Sequence, residues 1–102
     1  MSDCIFCNLK ETLPENVFVY KDDYCYAIND INPKAKHHIL VIPNIHVPSL
    51  NEVDDTMLIK RMFDAIKKIT KKLGITDFKT LINTGSKAGQ EVFHLHIHIL
   101  AD

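Results

Sequence analysis

Eight consecutive residues, Phe93-His94-Leu95-His96-Ile97-His98-Ile99-Leu100, alternate large apolar side chains with imidazoles. Side chains of a strand point to opposite faces with a period of two, so this run predicts a strand. His94, His96 and His98 fall on one face, and Phe93, Leu95, Ile97 and Ile99 on the other. With six His in 102 residues, a His-x-His-x-His pattern is expected by chance only about 0.02 times in a chain of this composition. A merely solvated edge strand would be served better by Lys, Thr or Glu. Same-face neighbours lie about 6.8 Å apart, too far for three rings to close on one small ion, so the row suits an extended, multi-centred ligand such as a phosphoryl group. Near neutral pH an imidazole can be nucleophile, general acid or hydrogen-bond donor to an anion.

The remaining chain predicts a sheet for this strand to join. Ser2 or Asp3 can cap a short helix carrying Cys4, Ile5, Phe6, Cys7 and Leu9, with Pro14 marking its exit. Residues 17–21 and 24–28 are rich in β-formers around Asp22-Asp23, which predicts a hairpin without a turn glycine. After the turn-rich residues 29–36, His38 opens the apolar run Ile39-Leu40-Val41-Ile42, closed by Pro43, the pattern of a strand covered on both faces. Ser49-x-x-Glu52 is a capping-box candidate, and Leu58, Met62, Ala65, Ile66, Ile69 and Leu73 recur at helical spacing until Gly74. Residues 78–83 read as a further strand before the loop 84–90. The expected class is α+β: a mainly antiparallel five-stranded sheet with one long and one short helix.

A length of 102 residues suits a single domain spanning 1–102. The formal net charge of -1 gives no broad footprint for DNA or RNA, and the basic run Lys60, Arg61, Lys67, Lys68, Lys71 and Lys72 reads as a solvated helix face. No segment has the apolar length of a membrane span, and the start Met1-Ser2-Asp3-Cys4 lacks the features of a signal peptide, so a cytoplasmic protein is expected. In that compartment Cys4-x-x-Cys7 reads as a metal half-site or redox pair rather than part of a disulfide frame, and Cys25 as a small buried hydrophobe.

The run from Gly89 to Leu100 resembles the histidine triad motif of the HIT superfamily, His-φ-His-φ-His-φ-φ with φ apolar. The resemblance extends through Cys4-Ile5-Phe6-Cys7, Asn29-Asp30-Ile31, His38 to Pro43 and Asn83-Thr84-Gly85, and is greatest for the Hint-like branch of nucleotide-binding phosphoramidate hydrolases. The resemblance implies a purine nucleotide hydrolase or nucleotidyltransferase. It would cleave phosphoramidates or related esters of nucleoside monophosphates through a nucleotidylated His96, with His98 and His38 as donors to the phosphoryl oxygens or the leaving group. It further implies Asp30 as ribose acceptor, Asn83 and Gln90 beside the phosphate and sugar, and Ile5, Phe6, Leu9, Ile28 and Ile31 as an apolar clamp on the purine. A structural zinc held by Cys4, Cys7, His46 and His94, and a homodimer, are implied as well. Glu91 stands where Hint-like enzymes commonly have Ser, and the chain stops at Asp102 without their Trp- and Pro-containing tail, so the resemblance leaves the leaving group open. Dinucleoside polyphosphate hydrolysis and a binding scaffold with vestigial catalysis are the alternatives.

Overall fold

In the computed structural model, which describes residues 3–102, five strands form one sheet. They are β1 (Tyr20–Lys21), β2 (Cys25–Asn29), β3 (His37–Pro43), β4 (Lys79–Leu81) and β5 (Ile97–Ala101), with helices α1 (Ile5–Thr12) and α2 (Met57–Leu73). The strand order is β1-β2-β3-β5-β4 and every pairing is antiparallel. This is the expected α+β architecture, and the apolar strand β3 lies at the middle of the sheet.

The two faces of the sheet bury different sets. Ala27, Ile39, Val41, Ile97 and Ile99 pack with Met62, Ala65, Ile66 and Ile69 of α2. Tyr26, Ile28, Leu40 and Ile42 pack with Phe6 of α1, joined by Leu9 and Cys4. Cross-strand partners share a face, so the pairs His38↔Leu100 and Leu40↔His98 put the triad on the side of α1. There Tyr26, fully buried, donates its hydroxyl to the Phe6 carbonyl at 2.5 Å and ties the short helix to the sheet. α2 ends as its sequence predicts: Gly74 takes φ 70°, and the Gly74 and Ile75 amides close on the Lys71 and Thr70 carbonyls.

Several expectations change in detail. The expected cap Ser2 lies outside the described residues, and the N-cap of α1 is Cys4 rather than Asp3, with no side-chain cap bond. Glu15–Val17 is a 3-10 turn, so β1 is shorter than expected, although the Val19 amide already reaches the Ala27 carbonyl at 2.8 Å. The hairpin needs no glycine because Asp22 Oδ1 accepts from the Tyr24 and Cys25 amides, at 2.7 and 2.8 Å. Ser49 pairs with Glu52, but on the 3-10 turn Leu50–Glu52, ahead of α2.

The histidine strand is also shorter than its alternation. Regular pairing starts at Ile97, because continuing the register back to Leu95 would set it opposite Pro43, which has no N–H to give the ladder. Leu95 instead donates its amide to the Val47 carbonyl at 2.7 Å. The alternation survives for Leu95, Ile97 and Ile99, which are buried, whereas Phe93 is 48% exposed and does not join the core face.

Candidate functional site

Each imidazole of the triad has its proton placed by a neighbour. His96 Nδ1 lies 2.7 Å from the backbone carbonyl of His94. A carbonyl only accepts, so Nδ1 carries the proton and Nε2 keeps a lone pair. The ring is partly exposed, and the Phe6 ring meets it edge-on at 5.1 Å. In the neutral ring this makes Nε2 an oriented nucleophile.

His98 and His38 stand beside it, with ring centroids 5.0 Å (His96 to His98) and 5.1 Å (His38 to His98) apart. His38 Nε2 is 2.9 Å from His98 Nδ1 and 3.4 Å from Asp30 Oδ2. Burial pushes the His98 pKa down to about 4, the nearby His96 and His38 rings adding to the effect, so His98 is neutral at pH 7. Asp30 Oδ1 accepts from the Asn32 amide at 2.8 Å, which locks the carboxylate while both oxygens retain accepting capacity.

His94 belongs to a second cluster. Its Nε2 donates to the Pro43 carbonyl at 2.9 Å, so its Nδ1 carries a lone pair. That Nδ1 lies 3.2 Å from Cys4 Sγ, 3.5 Å from Cys7 Sγ and 3.2 Å from His46 Nδ1, while Cys7 Sγ is 3.4 Å from His46 Nδ1. A tetrahedral zinc bound by sulfur at about 2.3 Å and nitrogen at about 2.0 Å separates its ligand atoms by roughly 3.3–3.7 Å. The donor set therefore fits a metal ion in type and spacing, and the Pro43 carbonyl supplies the outer partner a ligating histidine needs. Burial also holds the His94 pKa low, which keeps the ring neutral.

The glycine loop is held by Gln90. Its Oε1 accepts from the Gly85 amide at 2.9 Å, and its Nε2 donates to the Pro48 and Val92 carbonyls at 2.7 and 3.1 Å. Both amide protons are engaged within the chain, so this buried side chain fastens the loop rather than offering donors to a ligand. The Gly85, Ala88, Gly89 and Gln90 amides also have acceptors inside the chain, which reduces the loop's capacity as an anion cradle. Asn83 is tucked below the loop, its carboxamide 3.9 Å from where a Cβ on Gly89 would stand.

Of the five apolar residues expected to clamp a base, Phe6 and Ile28 are buried in the core on the triad face, with Leu9 packed against them. Ile5 and Ile31 are 52% and 90% exposed. A crevice of about 420 Å³ lined by Lys34, Phe78, Lys79 and Leu100 includes none of the expected site residues, although Leu100 lies opposite His38 and the Lys34 amide bonds its ring. The backbone partners, the Pro43 and His94 carbonyls and the Lys34 amide, were not legible in the sequence, because nothing in a residue's identity announces where its main chain points.

The chain is similar to known proteins along nearly its whole length. The family model described as HIT domain matches residues 11–102. Protein HitA of Neisseria gonorrhoeae is 45% identical over 98% of this chain and 96% of its own. The purine nucleoside phosphoramidase of Escherichia coli K12 is 38% identical over 90% of this chain and 80% of its own. A histidine triad protein from Clostridium difficile superposes with a TM-score of 0.92 at 43% identity, covering 100% of this chain and 92% of that one.

Proposed function

This chain belongs to the HIT domain family, and from that premise we propose that it is a purine nucleotide hydrolase. Its substrates are phosphoramidates, or related esters, of purine nucleoside monophosphates, cleaved at the α-phosphorus through a nucleotidyl-His96 intermediate. The observation that carries this reading is the His96 ring, whose Nδ1–H is fixed on the His94 carbonyl at 2.7 Å and whose Nε2 is left with its lone pair. The Escherichia coli relative's name, purine nucleoside phosphoramidase, supports the substrate class.

In the first step Nε2 attacks the α-phosphorus and the bond from phosphorus to the leaving nitrogen or oxygen breaks. The charge that develops on the ring is stabilised by the short bond from Nδ1–H to a carbonyl. His98, neutral and proton-bearing, donates to the departing atom or to a phosphoryl oxygen, with His38 behind it. Water then attacks the nucleotidyl-histidine in line and gives a proton back to His98, the phosphorus–Nε2 bond breaks, and the nucleoside monophosphate leaves with the neutral His96 imidazole restored. Asp30 receives the ribose hydroxyls, Asn83 lies by the phosphate, and the exposed Ile5 and Ile31, with Phe6, Leu9 and Ile28 beneath, hold the purine. Gln90 acts on the ligand through the loop it fastens.

Cys4, Cys7, His46 and His94 would hold a structural zinc. When bound, it would tie α1 to the sheet beside the triad. With four protein ligands it leaves no open position for chemistry. We take residues 1–102 as one domain acting as a homodimer in the cytoplasm, without nucleic acid or membrane partners. Supporting this, β4 is an edge strand with all three residues exposed, a row of backbone groups that a second copy can cover. No described helix is long and apolar enough to cross a membrane.

The test is a turnover panel of adenosine and guanosine phosphoramidates against diadenosine polyphosphates. Faster turnover of the phosphoramidates is expected. Faster polyphosphate cleavage would assign the site to that class, and no turnover of either would leave a binding protein.

A further inference from the structure

A one-way chain of hydrogen bonds runs into the site from the Pro33-Lys34 turn. The Lys34 backbone N–H lies 3.0 Å from His38 Nδ1. An amide N–H can only donate, so this ring nitrogen must hold a lone pair, and a neutral His38 has its proton on Nε2. That proton faces His98 Nδ1 at 2.9 Å and, less closely, Asp30 Oδ2 at 3.4 Å. His98 Nδ1 therefore accepts, and the His98 proton lies on Nε2. His98 Nε2 is buried and has no hydrogen-bond partner among the described residues, a condition that is costly unless a ligand supplies an acceptor.

The same three residues raise a second question. One ligand atom each from Asp30, His38 and His98 lie within 4.8 Å of one another, and two imidazoles with a carboxylate are an ordinary set for a divalent metal. A metal on His38 Nε2 would displace the proton to Nδ1, where it would point at the Lys34 N–H. Two donors would then face each other. The turn thus opposes metal in the pocket while favouring a proton there.

We propose that the Lys34 backbone amide is a tautomer clamp, a positioning group that fixes the direction of the chain so that His98 offers the substrate a proton rather than a lone pair. By the same act it keeps divalent metal out of the Asp30, His38 and His98 trio. Its catalytic consequence rests on the hydrolase reading, but the proton positions do not.

The experiment therefore begins without substrate, with long-range nitrogen–proton NMR of the imidazoles in the wild-type, zinc-loaded protein. His38 and His98 should each show a bare Nδ1 and a protonated Nε2, and a proton on either Nδ1 overturns the proposal. Lys34→Pro deletes the N–H, whereas Lys34→Ala keeps it. Proline should move the His38 proton to Nδ1, alanine should not, and an unmoved proton in a folded Lys34→Pro protein also overturns the clamp. In that variant kcat should fall by roughly ten-fold or more with KM changed less than about three-fold, the signature of a lost transition-state donor rather than a lost binding contact. Mn²⁺ titrated into the zinc-loaded variant and followed by electron paramagnetic resonance should bind at one site that is absent in wild type. If Lys34→Pro fails to fold, the wild-type proton positions decide alone. The expected positions in a protein that turns over no nucleotide would keep the clamp and remove the enzyme reading, and turnover with a protonated His38 Nδ1 would do the reverse.

Discussion

Replacing Gln90 by Met tests whether this side chain holds the glycine loop or serves the ligand. The thioether has nearly the length and volume of the carboxamide, so the buried space stays filled while three hydrogen bonds vanish: to the Gly85 amide at 2.9 Å, the Pro48 carbonyl at 2.7 Å and the Val92 carbonyl at 3.1 Å. At a net value near 1 kcal/mol per bond the loss is about 3 kcal/mol, and more if the backbone groups stay dry. In a domain of this size that lowers Tm by roughly 12–24 °C. With no Trp in the chain, urea unfolding is best followed by far-UV circular dichroism, where the midpoint should fall while the slope m stays constant. A destabilisation below about 1 kcal/mol, paired with a clear loss of nucleotide affinity, would refute the reasoning and return Gln90 to direct ligand contact.

His96→Ala should abolish turnover, by several orders of magnitude, while largely sparing nucleotide binding. Acid-labile label from α-phosphate-labelled substrate should appear on wild type alone. Asp30→Asn should weaken ribonucleotides far more than 2′,3′-dideoxynucleotides, since the amide still accepts from Asn32 but meets two hydroxyls with mismatched donors; equal losses in calorimetry would make Asp30 structural. Protein purified without chelator should carry close to one zinc per chain. Cys4→Ser or Cys7→Ser should lower Tm more than the turnover of the molecules still folded, and metal analysis near zero in wild type would return both cysteines to packing roles.

The architecture was legible where side chains alone decide it. The unbroken apolar run 39–42 marked the central strand, and the spacing from Leu58 to Leu73 marked α2, because burial is a property of residue type and period. Strand ends were not legible at Phe93 or Val17. Whether a ladder continues depends on what lies opposite, and the Pro43 opposite Leu95 becomes visible only once the register is known. In the site, Cys4, Cys7, His46 and His94 converge as the resemblance implied, and Asp30 joins His38 and His98. Gln90 could not be read from sequence, since an amide can face a ligand or a loop equally well and its fold-dependent partners decide.

The strand order has a consequence for how the molecule comes into being. β5 is the last strand in the sequence, yet it lies between β3 and β4 and pairs with both. During synthesis the chain from α1 to β4 can emerge with the β3 edge still bare and the apolar stripe of α2 only partly covered. His96 and His98 arrive with β5, the strand that completes the sheet, when Asp30 and His38 have already been made. Closing the sheet requires contacts between segments about 60 residues apart, which favours slow, late and cooperative closure over stepwise growth. Chains interrupted before β5 should therefore lack the site and also expose a sticky sheet edge, so quality control can remove them by their exposed surface before a half-built pocket meets a nucleotide.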